Sequence, residues 1–162
     1  MITLRLAHPD EAFLLAELQE RASVAALQHI FPPELYPYPR AAIRDNWDGT
    51  LDDPTRTVVV AEAEEPVGVV CTGNGWLEAL YVVPEHWGTG VADALHDRVL
   101  ELVREKGAVE CRLWVLESNQ RARRFYERRG WHENGDTRVV PYPPNPIDVG
   151  YTIELETTLA TP

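Results

Sequence analysis

The sequence predicts an α+β fold with a mixed, mostly antiparallel sheet of six to seven strands, flanked by about four helices. Three observations predict it. Segments with the two-residue alternation or β-branched composition of strands lie early and late in the chain. Segments with the 3.6-residue period of helices occur on both sides of the early strands. Proline or glycine turns separate them, which gives the order βααβββαβαββ.

The chain begins with a predicted strand and two predicted helices. Residues 2–7 alternate apolar and polar side chains, and Pro9 with the acids that follow indicates the start of a helix. That helix should continue to about Leu27, because Pro32 and Pro33 then interrupt the pattern. A second helix is expected over residues 39–51.

Three strands are predicted next. The β-branched runs 57–63 and 67–72 are separated by two acids and a proline, which indicates a hairpin. Residues 76–83 form a third apolar run that stops at Pro84, a residue that cannot continue the strand ladder.

A helix, a strand and a second helix are predicted to follow. The apolar period from Val91 predicts a helix that ends at Gly107, and residues 110–116 have the composition of a strand. Ser118 is placed to cap a helix that continues to about Arg129. Gly130 then occupies the position where helices commonly end. Two last strands are expected over residues 131–140 and 149–156.

Composition limits the classes of function. The 162 residues, of which 44% are hydrophobic, suit one domain over residues 1–162. The chain lacks an apolar run of membrane-spanning length and a signal-peptide pattern at its start, so a cytoplasmic location is expected. Cys71 and Cys111 lie in apolar runs and are expected to be buried thiols. The net charge of −11 argues against nucleic acid and anionic membranes as partners.

The charge is unevenly distributed. Residues 97–131 contain nine Arg or Lys and six acids, a net charge of +3, which leaves −14 for the rest of the chain. This pattern suggests a polyanionic small ligand near the basic segment and a cationic one near the acidic remainder. A solvated helix surface would give the same pattern, so both interpretations stay open.

A glycine loop joins the strand at 76–83 to the helix at Val91. Glycines at positions 88 and 90 allow the backbone to approach an anion, and the free N–H groups of the helix start favour negative charge. The loop matches neither the dinucleotide pattern nor the Walker pattern. A plain glycine turn between strand and helix is the alternative.

A second motif lies in the last predicted helix. Asn119 and Tyr126 are seven residues apart, which is two helical turns to within about 20°, so both side chains address one surface. Gly130 and Trp131 follow directly.

Together the two motifs resemble the GNAT superfamily of N-acetyltransferases. That family has a strand, a proline and Arg/Gln-x-x-Gly-x-Gly/Ala, matched here by residues 80–84 and by Trp87-Gly-Thr-Gly-Val-Ala. Trp87 stands where the family usually has Arg or Gln. The family's second motif, Asn with Tyr seven residues later and then Gly and an aromatic residue, matches residues 119–131.

The resemblance implies a GNAT-like fold and acetyl-CoA as co-substrate, without a metal. It implies that backbone in the strand binds the pantetheine arm and polarises the acetyl carbonyl, and that the loop binds pyrophosphate. It also implies that Asn119 holds part of the cofactor and that one or two of the arginines at 121, 123, 124, 128 and 129 meet the 3′-phosphate. The implied cofactor-binding residues are Leu80, Tyr81, Val82, Trp87, Gly88, Thr89, Gly90, Val91, Ala92 and Asn119.

Tyr126 is the general acid that the resemblance implies. A thiolate whose conjugate acid has a pKa of about 8.5 must be protonated as it leaves, and a tyrosine with a pKa of about 10 is protonated at neutral pH. The other interpretation is an aromatic residue that covers the core.

The general base is less well marked. Many relatives carry glutamate where this chain has Trp76 or Trp114. Glu78 is the candidate, because a regular strand would place it on the face of Leu80 and Val82 among apolar neighbours. His86 and ordered water are the alternatives.

The expected function is direct transfer of an acetyl group, in a ternary complex, to the primary amine of a small cationic molecule. Tyr36, Tyr38 and residues 141–146 are expected near the acceptor, and Trp76, Trp87 and Trp114 are either further lining residues or core. Protein N-terminal or lysine acetylation, a non-catalytic acyl-CoA sensor and a purely structural module are the alternatives. The choice between monomer and homodimer is left open.

Overall fold

The computed structural model describes residues 1–156, and its elements follow the predicted order. The strands are β1 (Thr3–Leu6), β2 (Arg56–Glu62), β3 (Pro66–Gly73), β4 (Trp76–Val82), β5 (Glu110–Leu116), β6 (His132–Val139) and β7 (Ile147–Glu154). The helices are α1 (Ala12–Leu27), α2 (Arg40–Asp52), α3 (Val91–Glu105) and α4 (Gln120–Arg128), and a 3₁₀ turn, Pro84–His86, lies between β4 and α3. No helix in this range is long and apolar enough to cross a membrane.

The seven strands form one sheet in the order β1-β2-β3-β4-β5-β7-β6. Every neighbouring pair is antiparallel except β4 and β5, which run parallel. That parallel pair is joined at one register position, Trp76 opposite Arg112. The predicted fold class, a mostly antiparallel sheet of six to seven strands with about four helices, is confirmed.

Helices cover both faces of the central strands. Every residue from Val67 to Gly73 in β3 is buried, although successive side chains of a strand point to opposite faces. Helix α1 packs on β3 and β4 and is fully buried at Leu15, while α3 packs on β2, β3 and β4 and is fully buried at Leu95. Each such leucine contributes about 2 kcal/mol of hydrophobic stabilisation.

A β-bulge interrupts β4. Cys71 of β3 lies opposite Ala79, but the next residue, Thr72, lies opposite Leu77, so Glu78 is the extra residue on β4. A bulge of this kind breaks the two-residue alternation of side chains. The side-chain direction that the sequence predicted for Glu78 therefore does not follow from strand periodicity.

Two predicted helix starts are shifted. Helix α1 begins at Ala12 rather than near Pro9, because residues 8–11 form a turn in which the Glu11 side chain accepts the N–H of His8 at 2.7 Å. The prediction that Ser118 caps the last helix is wrong. Asn119 is the cap, and its Oδ1 accepts the N–H of Ala122 at 3.2 Å.

Cys71 and Cys111 are buried free thiols, as predicted. Burial raises the pKa of each to about 12, which keeps both protonated at neutral pH.

One ion cluster fastens the start of α1 to the sheet edge. Arg5 of β1 donates Nη1 and Nη2 to the Glu11 carboxylate at 2.7 and 2.8 Å, and donates Nε to Glu62 of β2 at 2.7 Å. The hydrogen bonds from Arg5 lower the pKa of Glu11 to about 2.

The variant Glu11→Gln should lower the free energy of unfolding by about 1–2 kcal/mol at neutral pH. Because the native pKa of Glu11 lies below its ordinary value of 4.5, this contribution is present above that value and is lost as the pH falls toward 2. Urea unfolding at pH 7 and pH 3 measures it, with the exposed Glu64→Gln as control. A loss of equal size at both pH values would contradict the assignment.

Candidate active site

The site is organised around the gap between β4 and β5. The N–H of Val83 bonds the carbonyl of Val67 in β3 at 3.0 Å. Because alternate residues of a strand direct their backbone groups to opposite sides, the N–H and C=O groups of Leu80 and Val82 point away from β3, into the gap. Strand backbone with free donors and acceptors is therefore available to a ligand that enters there.

A groove of about 180 Å³ follows this gap and is lined by α1, β4, α3 and α4. It brings together seven of the residues that the sequence analysis singled out. They are Leu80, Tyr81, Val82, Trp87, Ala92, Asn119 and Tyr126.

The glycine loop is exposed and lies in the chain between Trp87 and Ala92, two residues that line the groove. Gly88 and Gly90 have φ of +75° and +90°, in the region that favours glycine. A Cβ at either position would meet no atom within 4 Å, so the backbone conformation, not packing, requires glycine. Thr89 donates its hydroxyl to the carbonyl of His86 at 2.6 Å, which closes the turn.

The start of α3 presents its backbone N–H groups beside this loop. The first helical hydrogen bond runs from Ala94 to the carbonyl of Gly90, and the N–H groups ahead of it have no acceptor within the helix. The Val91 side chain is fully buried in the core, so only its backbone is available to a ligand. Gly88, Thr89, Gly90 and Val91 are not among the residues that line the groove.

Trp87 makes one hydrogen bond and one cation–π contact. Its indole Nε1 donates to the carbonyl of Val82 at 2.8 Å, and the guanidinium of Arg121 lies over its ring, 3.5 Å from the centroid. Burial lowers the pKa of Arg121. The tryptophan that stands in place of the usual Arg or Gln thus hydrogen-bonds one carbonyl that faces the gap. Its ring also contacts an arginine of α4 on the other wall of the groove.

The arginines of α4 fall into two groups. Arg123 bonds the hydroxyl of Tyr151 at 2.9 Å and pairs with Glu133, and Arg129 pairs with Asp93. These two fasten the helix to the rest of the structure. The side chains of three other arginines make no hydrogen bond or ion pair within residues 1–156. They are Arg121, Arg124 and Arg128.

Tyr126 lies at the inner end of the groove and is 7% exposed. Its ring makes edge contacts with Phe125 and Trp131, at centroid distances of 5.2 and 5.7 Å. Burial, together with the nearby Tyr81 and Cys111, raises the pKa of Tyr126. The phenol is therefore protonated throughout the neutral range.

A second, larger cavity of about 670 Å³ lies beyond the groove. Three residues, Ser23, Leu27 and Tyr81, line both, so the two spaces adjoin along them. The larger cavity includes the predicted acceptor wall, namely Tyr36, Tyr38, Tyr142 and Pro143. Its other apolar lining residues are Val24, Leu27, Phe31, Pro33, Leu35, Pro37, Pro39, Ile43, Leu116 and Val140.

Asp148 is the one charged side chain among the lining residues of that cavity, and the sequence analysis missed it. It is 6% exposed, and its Oδ2 accepts Nε–H of Arg138 at 2.9 Å. The Arg138 guanidinium lies 4.6 Å from the ring centroid of Trp114, which stacks on Trp76. A lone acid inside the apolar strand 147–153 was the available signal.

Trp76 and Trp114 themselves line neither cavity. The structure also places Glu78 outside both. At the bulge its carboxylate pairs with Arg56 Nε at 2.9 Å and accepts the Cys71 thiol at 3.6 Å. His86 lines neither space. Across residues 1–156, no three His, Cys, Asp or Glu side chains lie close enough together to hold a metal ion.

Comparison with known proteins identifies a family and several relatives. The model of the acetyltransferase (GNAT) family matches residues 21–131. An uncharacterized N-acetyltransferase of Mycobacterium tuberculosis is 37% identical over 91 residues, 52% of this chain and 58% of that protein. The chain thus spans little more than half the length of that relative.

Two further relatives have named acceptors. A thialysine N-epsilon-acetyltransferase of Bos taurus is 37% identical over 68 residues, 36% of this chain and 40% of that protein. The peptidyl-lysine N-acetyltransferase YjaB of Salmonella typhimurium is 27% identical over 147 residues, 88% of this chain and 94% of that protein.

Among solved structures, the PaiA N-acetyltransferase of Thermoplasma acidophilum in complex with coenzyme A shares the fold. Its TM-score is 0.72 at 18% identity, and the match covers 93% of this chain and 98% of that one.

The variant Gly90→Ala should lower the free energy of unfolding by about 1–2 kcal/mol, because an alanine is strained at this positive φ even though its methyl group has space. Gly49→Ala is the matched control. That glycine lies inside α2 with open space around it, so the same change should raise stability by about 0.5–1 kcal/mol. Urea unfolding measures both. Equal effects of the two variants would show that backbone conformation does not require Gly90.

Proposed function

The chain belongs to the acetyltransferase (GNAT) family, and on that basis we propose that it transfers an acetyl group from acetyl-CoA to the primary amine of a small molecule. One observation carries the proposal. A narrow groove along β4, lined by residues of both motifs, adjoins a separate and mostly apolar cavity, and Ser23, Leu27 and Tyr81 line both spaces. Two substrates that enter from different sides would meet at that junction.

The residues of the groove fit acetyl-CoA. The N–H and C=O groups of Leu80 and the N–H of Val82 are free for the amide groups of an extended pantetheine arm, whereas Trp87 bonds the Val82 carbonyl. Asn119 uses Oδ1 as the helix cap and retains its amide N–H groups for the ligand. A related fold has been solved with coenzyme A bound.

Phosphate groups fit the exposed end of the groove. The loop at Gly88 and Gly90 and the start of α3 supply backbone N–H groups, which is a common arrangement for binding anions. Arg121, Arg124 and Arg128 are available for the 3′-phosphate, since they make no ion pair within the described part of the chain. Arg123 and Arg129 are already paired.

In this proposal acetyl-CoA supplies the acetyl group in activated form, as a thioester. The backbone N–H groups that face the gap polarise the acetyl carbonyl, an arrangement that contributes about 3 kcal/mol in other enzymes. The neutral amine attacks the carbonyl carbon, so that the C–N bond forms and the C–S bond then breaks. Tyr126 donates its hydroxyl proton to the departing sulfur, and its raised pKa keeps that proton in place at neutral pH. The extra proton of the amine passes to solvent water, and Tyr126 regains its proton from solvent. Glu78 is not part of this mechanism, because its carboxylate lies at the bulge in a pair with Arg56.

Acetylation of a lysine side chain in a protein is a second candidate. The relative named for that activity aligns with 88% of this chain. Similarity to the thialysine N-epsilon-acetyltransferase supports a small amine as acceptor, but that alignment covers 36% of this chain. Two proline-rich segments contribute to the lining of the larger cavity, residues 33–39 and 140–143, and these segments leave less room for a protein surface than for a small-molecule acceptor.

The variant Tyr126→Phe should reduce kcat about 10²- to 10⁴-fold, because the departing thiolate loses its proton donor. The Kd for CoA should change less than about threefold, since the ring and its packing remain. Amine-dependent thiol release from acetyl-CoA and calorimetric CoA binding measure the two quantities.

In the parent protein, kcat should not fall between about pH 7 and pH 9, because burial keeps the phenol protonated in that range.

Tyr151→Phe is the matched control. It removes a hydroxyl from another buried tyrosine, which bonds Arg123 and lines neither cavity. Stability should fall by about 1 kcal/mol while kcat stays near the parent value. Full activity of Tyr126→Phe would contradict the role of Tyr126 as the general acid. If the protein binds CoA but no amine or lysine peptide causes thiol release from acetyl-CoA, the protein is an acyl-CoA sensor instead.

A further inference from the structure

We propose that the acceptor is a primary amine with a single positive charge on an aromatic or branched aliphatic body, and that Asp148 binds its nitrogen. This inference rests on the proposed transfer reaction and narrows its substrate class. It also narrows the sequence-based expectation of a small cationic acceptor, which came from the acidic remainder of the chain.

The shape and surface of the larger cavity point to an apolar body. At about 670 Å³ it has the size of a site for a drug-sized ligand. Five aromatic side chains line it, and aliphatic residues of α1, α2 and β5 fill much of the remaining wall. Besides Asp148, the polar side chains of the lining are Gln19, Ser23 and the tyrosines. An amino-sugar would place some of its hydroxyl groups against apolar side chains, and each unpaired group costs about 1–3 kcal/mol.

The charge of the cavity limits the acceptor to one ammonium group. Asp148 is the one charged residue among the lining side chains, and Arg138 already pairs with its Oδ2 at 2.9 Å. A polyamine would bring two or more buried charges that no acid in the cavity could pair, which is strongly unfavourable. The many other acids of the chain do not line this cavity.

Asp148 is suited to hold a nitrogen atom. Arg138 donates a hydrogen bond to Oδ2 of Asp148. The other carboxylate oxygen, Oδ1, makes no hydrogen bond within residues 1–156, so it can accept an N–H from the acceptor. Arg138 is itself held against the ring of Trp114, so the carboxylate has a fixed position. Because Arg138 pairs with it, the Asp148 carboxylate is not an unpaired buried group in the empty cavity.

Tyr38 holds one unpaired polar group beside the cavity. Its hydroxyl has no hydrogen-bond partner in the described part of the chain, and it belongs to a residue that lines the cavity. Leaving such a group unpaired costs about 1–3 kcal/mol. Because the oxygen itself is buried, an acceptor reaches it only if the Tyr38 side chain turns toward the cavity.

An amine panel tests the class of acceptor. We expect kcat/KM for 2-phenylethylamine, tyramine and 3-methylbutylamine to exceed that for spermidine and glucosamine at least about tenfold. A preference for spermidine or glucosamine would overturn the proposal. Calorimetric binding of 2-phenylethylamine to the CoA-loaded protein is measured in parallel, because binding is expected even if no amine turns over. Binding without turnover would then reject the transfer reaction alone, and absence of binding would reject the acceptor class.

The variant Asp148→Asn tests the residue. The amide oxygen can still accept from Arg138, but the charge that binds the nitrogen is lost, so the Kd of 2-phenylethylamine should rise about 10- to 100-fold. The Kd of CoA should stay within about threefold of the parent value. Asp136→Asn, an exposed acid of β6, is the matched control and should change neither. An unchanged amine Kd in a folded Asp148→Asn protein would overturn the role of Asp148.

The variant Tyr142→Ala tests the apolar wall without a risk to folding, because this side chain is 45% exposed. It should weaken binding of 2-phenylethylamine several-fold and affect 3-methylbutylamine less, since an aromatic contact is lost. Equal effects on both amines would contradict aromatic recognition at this wall.

Discussion

The structure depends on one incomplete strand pair. β4 and β5 are neighbours in the sheet and run parallel, yet they are joined only where Trp76 lies opposite Arg112. Beyond that point the backbone of β4 has donors and acceptors without a strand partner, and such groups are costly unless water, a side chain or a ligand bonds them. The Trp87 indole bonds one of them. A ligand with amide groups of its own would bond others, so the gap in the sheet and the binding groove are one feature.

The walls of this groove are fastened to each other through an aromatic cluster. Trp131, just after α4, donates its indole N–H to Nε2 of His96 in α3 at 2.9 Å. His96 also makes edge contacts with Phe125 and Trp131, and Tyr126 packs on the same two aromatic rings. The tyrosine hydroxyl is therefore positioned by two helices together. Such support from packed neighbours limits the movement of a functional side chain.

Charge is separated between the two spaces. Arginines of α4 without an ion pair in residues 1–156 lie beside the groove, whereas the acids that dominate the net charge of −11 lie mostly in surface pairs or on exposed strands. The larger cavity retains a single carboxylate that is already balanced by Arg138. Overall charge thus describes how the outside of the molecule meets solvent and not the charge inside the larger cavity.

The amino-acid sequence by itself determined the features that arise from neighbouring residues. Element types and order, the conformation of the loop at Gly88 and Gly90, and the shared surface of Asn119 and Tyr126 all follow from local periodicity and backbone preference. Tertiary structure alone decided where Glu78 and Asp148 lie. A bulge that depends on pairing with β3 moved the first away from the groove, and the second reached the cavity because β7 pairs with β5. Register and strand order join residues far apart in the chain, and no local pattern records which distant faces will meet.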